Sequence, residues 1–161
     1  MTEIVRNAEP ADLVQVPEVE AAADTLFRSL GITGLPPAPA AAQRAAAWWV
    51  LVAGRPPVGF AVLERVDGEV HLEQLSVHPS AGRRGVGTAL LEAVAGVARA
   101  CGARRVTLTT YADVPWNRPW YAARGFTEIP DAGPELTALV AAEAAAGLPA
   151  HGRRVVMARA V

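Results

Sequence analysis

The chain has 161 residues, a formal net charge of −1 from 15 basic and 16 acidic side chains, and a hydrophobic fraction of 52%. This near-neutral, well-mixed charge argues against nucleic acid or a membrane surface as the main partner. The single Cys101 excludes an intrachain disulfide, no spacing typical of a metal site occurs, and no apolar run is long enough to cross a bilayer. A cytoplasmic protein of one domain, residues 1–161, is the expectation.

In chain order, hydrophobic periodicity and the positions of glycine and proline predict alternating strands and helices. The predicted strands are Ile4–Asn7, Trp48–Ala53, Val58–Val66, Glu69–Val77, Arg105–Thr110, Phe126–Ile129 and Arg153–Ala160. The predicted helices are Pro10–Phe27, Ala40–Ala46, Val86–Cys101, Asn117–Arg124 and Gly133–Ala146. Asp12 is the expected N-cap of the first helix, and Asp67-Gly68 is a typical hairpin turn. His71 and His78 are expected at the surface or at strand ends. This order indicates an α+β fold around one mixed sheet.

A glycine-rich turn, residues 82–87, follows a predicted strand and opens a predicted helix. The first amides of a helix have no partner within it, and the helix dipole favours an anion there. Gly85 and Gly87 let the backbone approach a ligand, while Arg83 and Arg84 add positive charge. The segment therefore predicts a site for a phosphate-bearing ligand.

The residues of this turn do not match the two well-known phosphate-binding loops, the dinucleotide fingerprint and the Walker loop. The dinucleotide fingerprint is G-x-G-x-x-G, whereas the order here is Gly82-x-x-Gly85-x-Gly87, the reverse. The strand Arg105–Thr110 also lacks the closing acidic residue that a nicotinamide site uses. A Walker loop needs a lysine, and the chain has none.

The turn, with the preceding His78-Pro79 and the following Thr88-Ala89-Leu90-Leu91, resembles motif A of the GNAT superfamily, the GCN5-related N-acetyltransferases, written Q/R-x-x-G-x-G/A. The order of elements resembles the same fold over nearly the whole chain. The resemblance implies a single domain with a central mixed, mostly antiparallel sheet flanked by helices. Gly82 stands at the Gln/Arg position of the motif, which is a departure, but a cradle made of backbone amides does not depend on that side chain.

The resemblance also implies acetyl-CoA as the co-substrate and names the residues that would contact it. The turn and the start of the helix would hold the pyrophosphate through Arg83, Arg84, Gly85, Val86, Gly87 and Thr88. The main chain of Leu75, Ser76 and Val77 would pair with the pantetheine arm, and one of these amides would hold the oxyanion. No metal is expected.

The segment Trp116–Phe126 resembles the GNAT pattern in which an Asn opens a helix, a Tyr follows and Gly-Phe ends it. The resemblance implies that Tyr121 is the general acid beside the thioester sulfur and that Asn117 contacts the cofactor. Asn117 would also cap the short helix. The alternative for Tyr121 is a core aromatic residue with a hydrogen-bonded hydroxyl.

Glu73 lies in the strand before the motif, where many GNAT members have a glutamate, and this implies a general base. The alternative is a solvated edge residue. The adjacent Trp48 and Trp49 should face opposite sides of a strand, with one of them in the core and the other a candidate wall of the acceptor site.

Together these patterns predict an acetyl-CoA-dependent N-acetyltransferase that acts on a primary amine of a small-molecule or peptide acceptor by direct attack in a ternary complex. A catalytically silent acyl-CoA-binding sensor or partner module is the alternative, since it needs the turn but neither Tyr121 nor Glu73. The acceptor stays open, as does a homodimer.

Overall fold

The structure, a computed structural model, describes residues 3–161. Within this range the chain forms seven strands, which are β1 Val5–Asn7, β2 Trp49–Ala53, β3 Gly59–Val66, β4 Glu69–Val77, β5 Arg105–Tyr111, β6 Thr127–Glu128 and β7 Arg154–Ala160. Its α-helices are α1 Pro10–Asp24, α2 Ala41–Ala45, α3 Val86–Ala100, α4 Arg118–Ala122 and α5 Pro134–Ala145. No helix among these residues is both long and apolar enough to span a bilayer.

The strands form one mixed sheet in the order β1-β2-β3-β4-β5-β7-β6. The β4–β5 pair is parallel, whereas β1–β2, β2–β3, β5–β7 and β6–β7 are antiparallel. The α+β class and the mixed sheet flanked by helices are therefore confirmed.

The chain divides into two compact units. The first contains the chain up to Glu64 together with Leu72–Val97, and its core includes Val16, Val19, Val52, Phe60 and Val62, each at most 4% exposed. Val16 and Val19 of α1 thus pack against residues of β2 and β3 in this core.

The second unit contains Arg65–His71 and Ala98–Val161. Its framework is the β5–β7 ladder, which runs from the pair Arg105 and Ala160 to the pair Tyr111 and Arg154. Leu108 and Met157 oppose each other in this ladder and are each 1% exposed. Val106 and Phe126 are buried as well.

The turn between β3 and β4 is the two-residue hairpin that the sequence predicts. Asp67 and Gly68 both have left-handed backbones, with φ of 53° and 76°, and this pair of positive φ angles matches the twist of the flanking strands. The Asp67 carboxylate also accepts the backbone N–H groups of Glu135 and Leu136, each at 2.9 Å. The hairpin turn therefore supplies the N-terminal cap of α5, which has no side-chain cap of its own.

Two expectations from the sequence are wrong. The N-cap of α1 is Glu9, and Asp12 is the third residue of the helix, where it accepts the Glu9 backbone N–H at 2.8 Å and binds Arg6. His71 is not at the surface: it is 1% exposed and its Nδ1 lies 2.9 Å from the Thr107 hydroxyl. Burial lowers the pKa of His71 to about 4, because a neutral ring is favoured away from water.

Candidate active site

The turn before α3 is held in place by short hydrogen bonds. His78 donates its backbone N–H to Val58 O at 2.7 Å, and its Nδ1 accepts the Ser80 N–H at 3.1 Å. Residues Pro79–Ala81 form one 3₁₀ turn, and the Gly82 N–H closes it on Pro79 O at 3.1 Å. The chain therefore enters the glycine turn in a fixed direction.

Arg83 and Gly85 within this turn both have left-handed backbones, with φ of 60° and 79°. Gly85 adopts this conformation without strain, but a non-glycine residue such as Arg83 rarely does, and such residues concentrate at ligand-binding turns. The first intrahelical bond of α3 runs from Ala89 N to Gly85 O at 3.0 Å. The amides of Val86 and Gly87 come before it and have no partner further up the helix. This arrangement is suited to an anion.

The two arginines of the turn differ in their surroundings. The Arg84 guanidinium lies 3.1 Å from Glu3, and its side chain is 48% exposed. Arg83 is also exposed, and it has no side-chain partner among residues 3–161. Arg83 therefore carries the less compensated positive charge of the two.

The position of α3 depends on a close approach at Gly59 in β3. A Cβ at Gly59 would lie 3.1 Å from both Val86 Cγ1 and Leu90 Cδ1, and 3.2 Å from Ser76 O. A larger residue at this position would force these neighbours to shift by a few tenths of an ångström, so glycine fits the close packing of α3 on β3 and β4. The sequence analysis missed this residue.

The residues expected to contact the cofactor by main chain lie at the end of β4. Ser76 is buried and accepts a hydrogen bond from Gln74 Nε2 at 2.8 Å, while Leu75 and Val77 are half-buried. Thr88, in the first turn of α3, is half-buried. All belong to the first unit, together with the turn and Glu73.

Glu73 points into an open pocket of 340 Å³ that lies wholly within the first unit. Its carboxylate is 44% exposed and accepts a hydrogen bond from Arg44 Nη1 at 3.3 Å. Arg44 comes from α2, is 4% exposed, and donates from Nη2 to the buried Glu20 at 2.6 Å. Glu64, from β3, is a second carboxylate in the wall. The remaining lining residues are Pro39, Gln43, Ala46 and Ala47.

Glu64 and Arg44 were not predicted. Burial raises the pKa of Glu64, and the charge of Glu73 raises that pKa further, against a hydrogen bond from the Trp48 backbone. The signal in the sequence is slight: Glu64 follows five apolar or glycine positions of β3, and Arg44 is the lone charge in an alanine-rich helix. Neither Trp48 nor Trp49 is among the described residues that line this pocket. Their rings pack against each other, with the ring centroids 5.4 Å apart.

Tyr121 and Asn117 belong to the second unit. The Tyr121 ring packs edge-on against Trp120 and Phe126, at centroid distances of 5.1 and 5.5 Å, and the residue is 8% exposed. Its hydroxyl makes no hydrogen bond with any residue in the described range 3–161. Burial raises the pKa of Tyr121, so the phenol stays protonated at neutral pH.

Asn117 stands at the N-cap position of α4 but does not cap the helix with its side chain. Its Oδ1 instead accepts the Tyr111 backbone N–H at 3.4 Å. The expected side-chain cap is therefore wrong, and Asn117 ties α4 to the end of β5.

The family is decided by a match over most of the chain, because the model of the acetyltransferase (GNAT) family covers residues 17–126. The chain belongs to the GNAT family. This GNAT protein is an acyltransferase, and acetyl-CoA is its co-substrate.

Solved structures share the fold of this GNAT protein at low sequence identity. A GCN5-related N-acetyltransferase from Rhodopseudomonas palustris is 21% identical, with a TM-score of 0.70 over 100% of this chain and 97% of that one. The PaiA N-acetyltransferase of Thermoplasma acidophilum, in complex with coenzyme A, is 15% identical, with a TM-score of 0.71 over 100% of both chains. A Mycobacterium tuberculosis protein in complex with CoA and NLQ is 20% identical, with a TM-score of 0.71 over 98% and 99%.

Proposed function

We propose that this GNAT protein transfers the acetyl group to a primary amine of a small-molecule or peptide acceptor, by direct attack in a ternary complex, with residues 1–161 acting as one catalytic domain. The observation that carries the proposal is the turn before α3, where left-handed backbones at Arg83 and Gly85 precede helix amides with no partner up the helix. Such a turn suits the pyrophosphate of the co-substrate.

The residues that would hold acetyl-CoA fit its chemistry. The backbone N–H groups of the glycine-rich turn and of the first turn of α3 would donate hydrogen bonds to the pyrophosphate. Arg83 would attract it by its positive charge, and Arg84 would contribute less. The contacts proposed for the turn and helix are Arg83, Arg84, Gly85, Val86, Gly87 and Thr88. Leu75, Ser76 and Val77 would pair by main chain with the pantetheine arm and supply the N–H for the oxyanion. Asn117 would be a further contact.

Glu73 is the proposed base. A primary amine has a pKa of ~10 in water and attacks only when neutral, so a carboxylate that accepts its proton accelerates the step. Glu73 is exposed enough to meet an acceptor and lies in a pocket of suitable kind, which supports this role. Its hydrogen bond to Arg44 holds the carboxylate in place.

Tyr121 is the proposed acid. As the new N–C bond forms and the C–S bond breaks, the amine proton goes to Glu73 and the leaving thiolate takes a proton from the Tyr121 hydroxyl. The raised pKa means that the phenol is protonated at neutral pH, and its hydroxyl has no hydrogen-bond partner in the described chain, which leaves it free to meet the sulfur.

The test is release of free CoA thiol from acetyl-CoA in the presence of a panel of primary amines. We expect amine-dependent release by the wild type and none by Gly87→Glu, which places a negative side chain in the proposed pyrophosphate site. Cofactor binding is measured in parallel by calorimetry. Tight acetyl-CoA binding with no release for any amine would instead favour a silent acyl-CoA-binding module.

A further inference from the structure

The pocket beside Glu73 has an uneven balance of charge. Its described walls contain two carboxylates, Glu64 and Glu73, and a single cation, Arg44. The charge of Arg44 is already balanced by that of Glu20, a buried residue of α1 whose carboxylate lies 2.6 Å from Arg44 Nη2. Arg44 and Glu20 cancel, so Glu64 and Glu73 leave the pocket with an excess of negative charge.

Both terminal nitrogens of Arg44 are already engaged by carboxylates. Its Nη1 binds Glu73 and its Nη2 binds Glu20, while its Nε is buried with no partner in the described chain. An acceptor carboxylate that approached Nη1 would compete with Glu73 for it and would meet the charge of Glu64 in the same pocket. Both effects cost free energy, because the first weakens a charge-assisted hydrogen bond and the second brings like charges together.

The two carboxylates influence each other, since the charge of Glu73 raises the pKa of Glu64 on top of the effect of burial. An ion pair with a cation would relieve this repulsion. The volume of 340 Å³ lies at the small end of the usual range for ligand pockets, ~300–1,000 Å³, and suits a short aliphatic chain or one long side chain.

We infer that this pocket selects an acceptor with two cationic groups, a short diamine or a basic side chain with a second charge, in preference to an amine that carries a carboxylate. The attacking nitrogen would lie at Glu73 and the second ammonium at Glu64. The inference rests on the proposed function, because it assumes that the attacking amine meets Glu73. Glu64 is then a specificity-determining residue that takes no part in the proton transfer.

The chemistry at the two ends differs. The attacking amine gives its proton to Glu73, forms the N–C bond, and leaves as a neutral amide while CoA departs as the thiol. The far ammonium keeps its proton throughout and stays paired with Glu64. An acetylated diamine therefore loses one of its two charges and binds the pocket more weakly than the substrate, which favours product release.

The inference is tested with three acceptors of equal chain length: 1,4-diaminobutane, n-butylamine and 4-aminobutanoate. They share a primary amine and differ only in whether the far end is a cation, a methyl group or an anion. We expect kcat/KM to fall in that order, with the diamine about tenfold above n-butylamine, the scale of one charge-assisted contact in a partly exposed site. Equal values for the three, or a higher value for 4-aminobutanoate, would overturn the inference.

Glu64→Gln isolates the proposed contact. Glutamine keeps an oxygen for the Trp48 backbone N–H, so the fold should be retained. We expect KM for the diamine to rise about tenfold, and to rise several times more than KM for n-butylamine, which has no second charge to lose a partner. The matched control is Glu18→Gln, an exposed carboxylate of α1 outside the pocket, which should leave the diamine preference intact. An equal loss for both amines in Glu64→Gln would contradict the inference.

The two proposals fail in different ways. If the enzyme acetylates all three acceptors equally well, whatever group stands at the end away from the attacking amine, the acetyltransferase proposal holds and the pocket inference fails. If no amine supports turnover, the proposed function fails, and calorimetry of 1,4-diaminobutane with the wild type and Glu64→Gln decides the pocket inference by itself. Weaker binding in the variant upholds it, and no binding to the wild type overturns it.

Discussion

Replacing Tyr121 by phenylalanine separates the acid role from a packing role. The change removes one oxygen and leaves the ring, so the edge-on contacts with Trp120 and Phe126 are kept. Because the hydroxyl has no hydrogen-bond partner among residues 3–161, its loss leaves no protein group unpaired. We therefore expect the free energy of unfolding to change by less than ~0.5 kcal/mol, while kcat falls by ~10²–10⁴, the range for a general acid.

The other tyrosine of the chain is a matched control. Tyr111 is 4% exposed, and its hydroxyl donates to Leu148 O at 3.0 Å. Tyr111→Phe leaves that carbonyl without its donor, which costs ~1–3 kcal/mol, or several degrees in Tm at ~2–4 °C per kcal/mol. We expect this variant to be destabilised with near-normal turnover per folded molecule, the opposite of Tyr121→Phe.

The assay is thiol release at saturating acetyl-CoA and acceptor, with denaturant unfolding of the same preparations. Acetyl-CoA affinity should be unchanged in both variants, since neither hydroxyl is proposed to hold the cofactor. Wild-type kcat in Tyr121→Phe would remove this residue from the mechanism. A loss of stability similar to that of Tyr111→Phe would show that the hydroxyl has a structural partner.

Three further predictions concern the base and the turn. Glu73→Gln should lower kcat/KM with a defect that shrinks between pH 7 and ~10, because more acceptor is then neutral, and a pH-independent defect in the rate profile would exclude the base role. Gly85→Ala should reduce the free energy of unfolding by ~1–2 kcal/mol at its left-handed φ of 79°, whereas Gly96→Ala, inside α3 with open space around it, should stabilise by ~0.5–1 kcal/mol in the same denaturant titration. Arg83→Ala should weaken acetyl-CoA binding ~10-fold, more at low salt than at high salt, and more than Arg84→Ala, whose arginine is already paired; equal losses in calorimetry would contradict this difference.

Local sequence patterns predict most of the fold because they act over a few residues. The hairpin at Asp67 and Gly68 follows from the turn type, and β4 has the bounds that the sequence predicts, Glu69–Val77. The same local rules fail at Asp12, because the helix begins at Pro10 and the Asp12 carboxylate is drawn to Arg6. They also fail at His71, whose burial depends on β5 lying beside β4, and no local pattern encodes that.

The candidate site divides in a similar way. The turn proposed to bind the pyrophosphate can be recognised in the sequence because its residues are consecutive, 82–87. The proposed acceptor pocket cannot, because Arg44, Glu64 and Glu73 come from a helix and two strands, and they meet only when α2 packs beside β3 and β4. The role of Gly59 is likewise not visible in the local sequence, because it depends on side-chain atoms of Val86 and Leu90 in α3, 27 and 31 positions further along the chain.

The cap that Asp67 gives to α5 makes the start of this helix depend on a hairpin turn that is distant in sequence. The first backbone amides of a helix are usually capped by a side chain that is close to them in sequence. The N-cap of α5 is Gly133, which has no side chain, and the amide of Glu135 is instead capped by the carboxylate of Asp67, 68 positions earlier. Forming the hairpin costs little conformational entropy because it joins neighbouring residues. Forming the cap costs more, because it closes a long loop. We therefore expect the first turn of α5 to form after the hairpin. Opening of the hairpin turn should expose the amides of Glu135 and Leu136 to exchange with solvent while the rest of that helix stays intact.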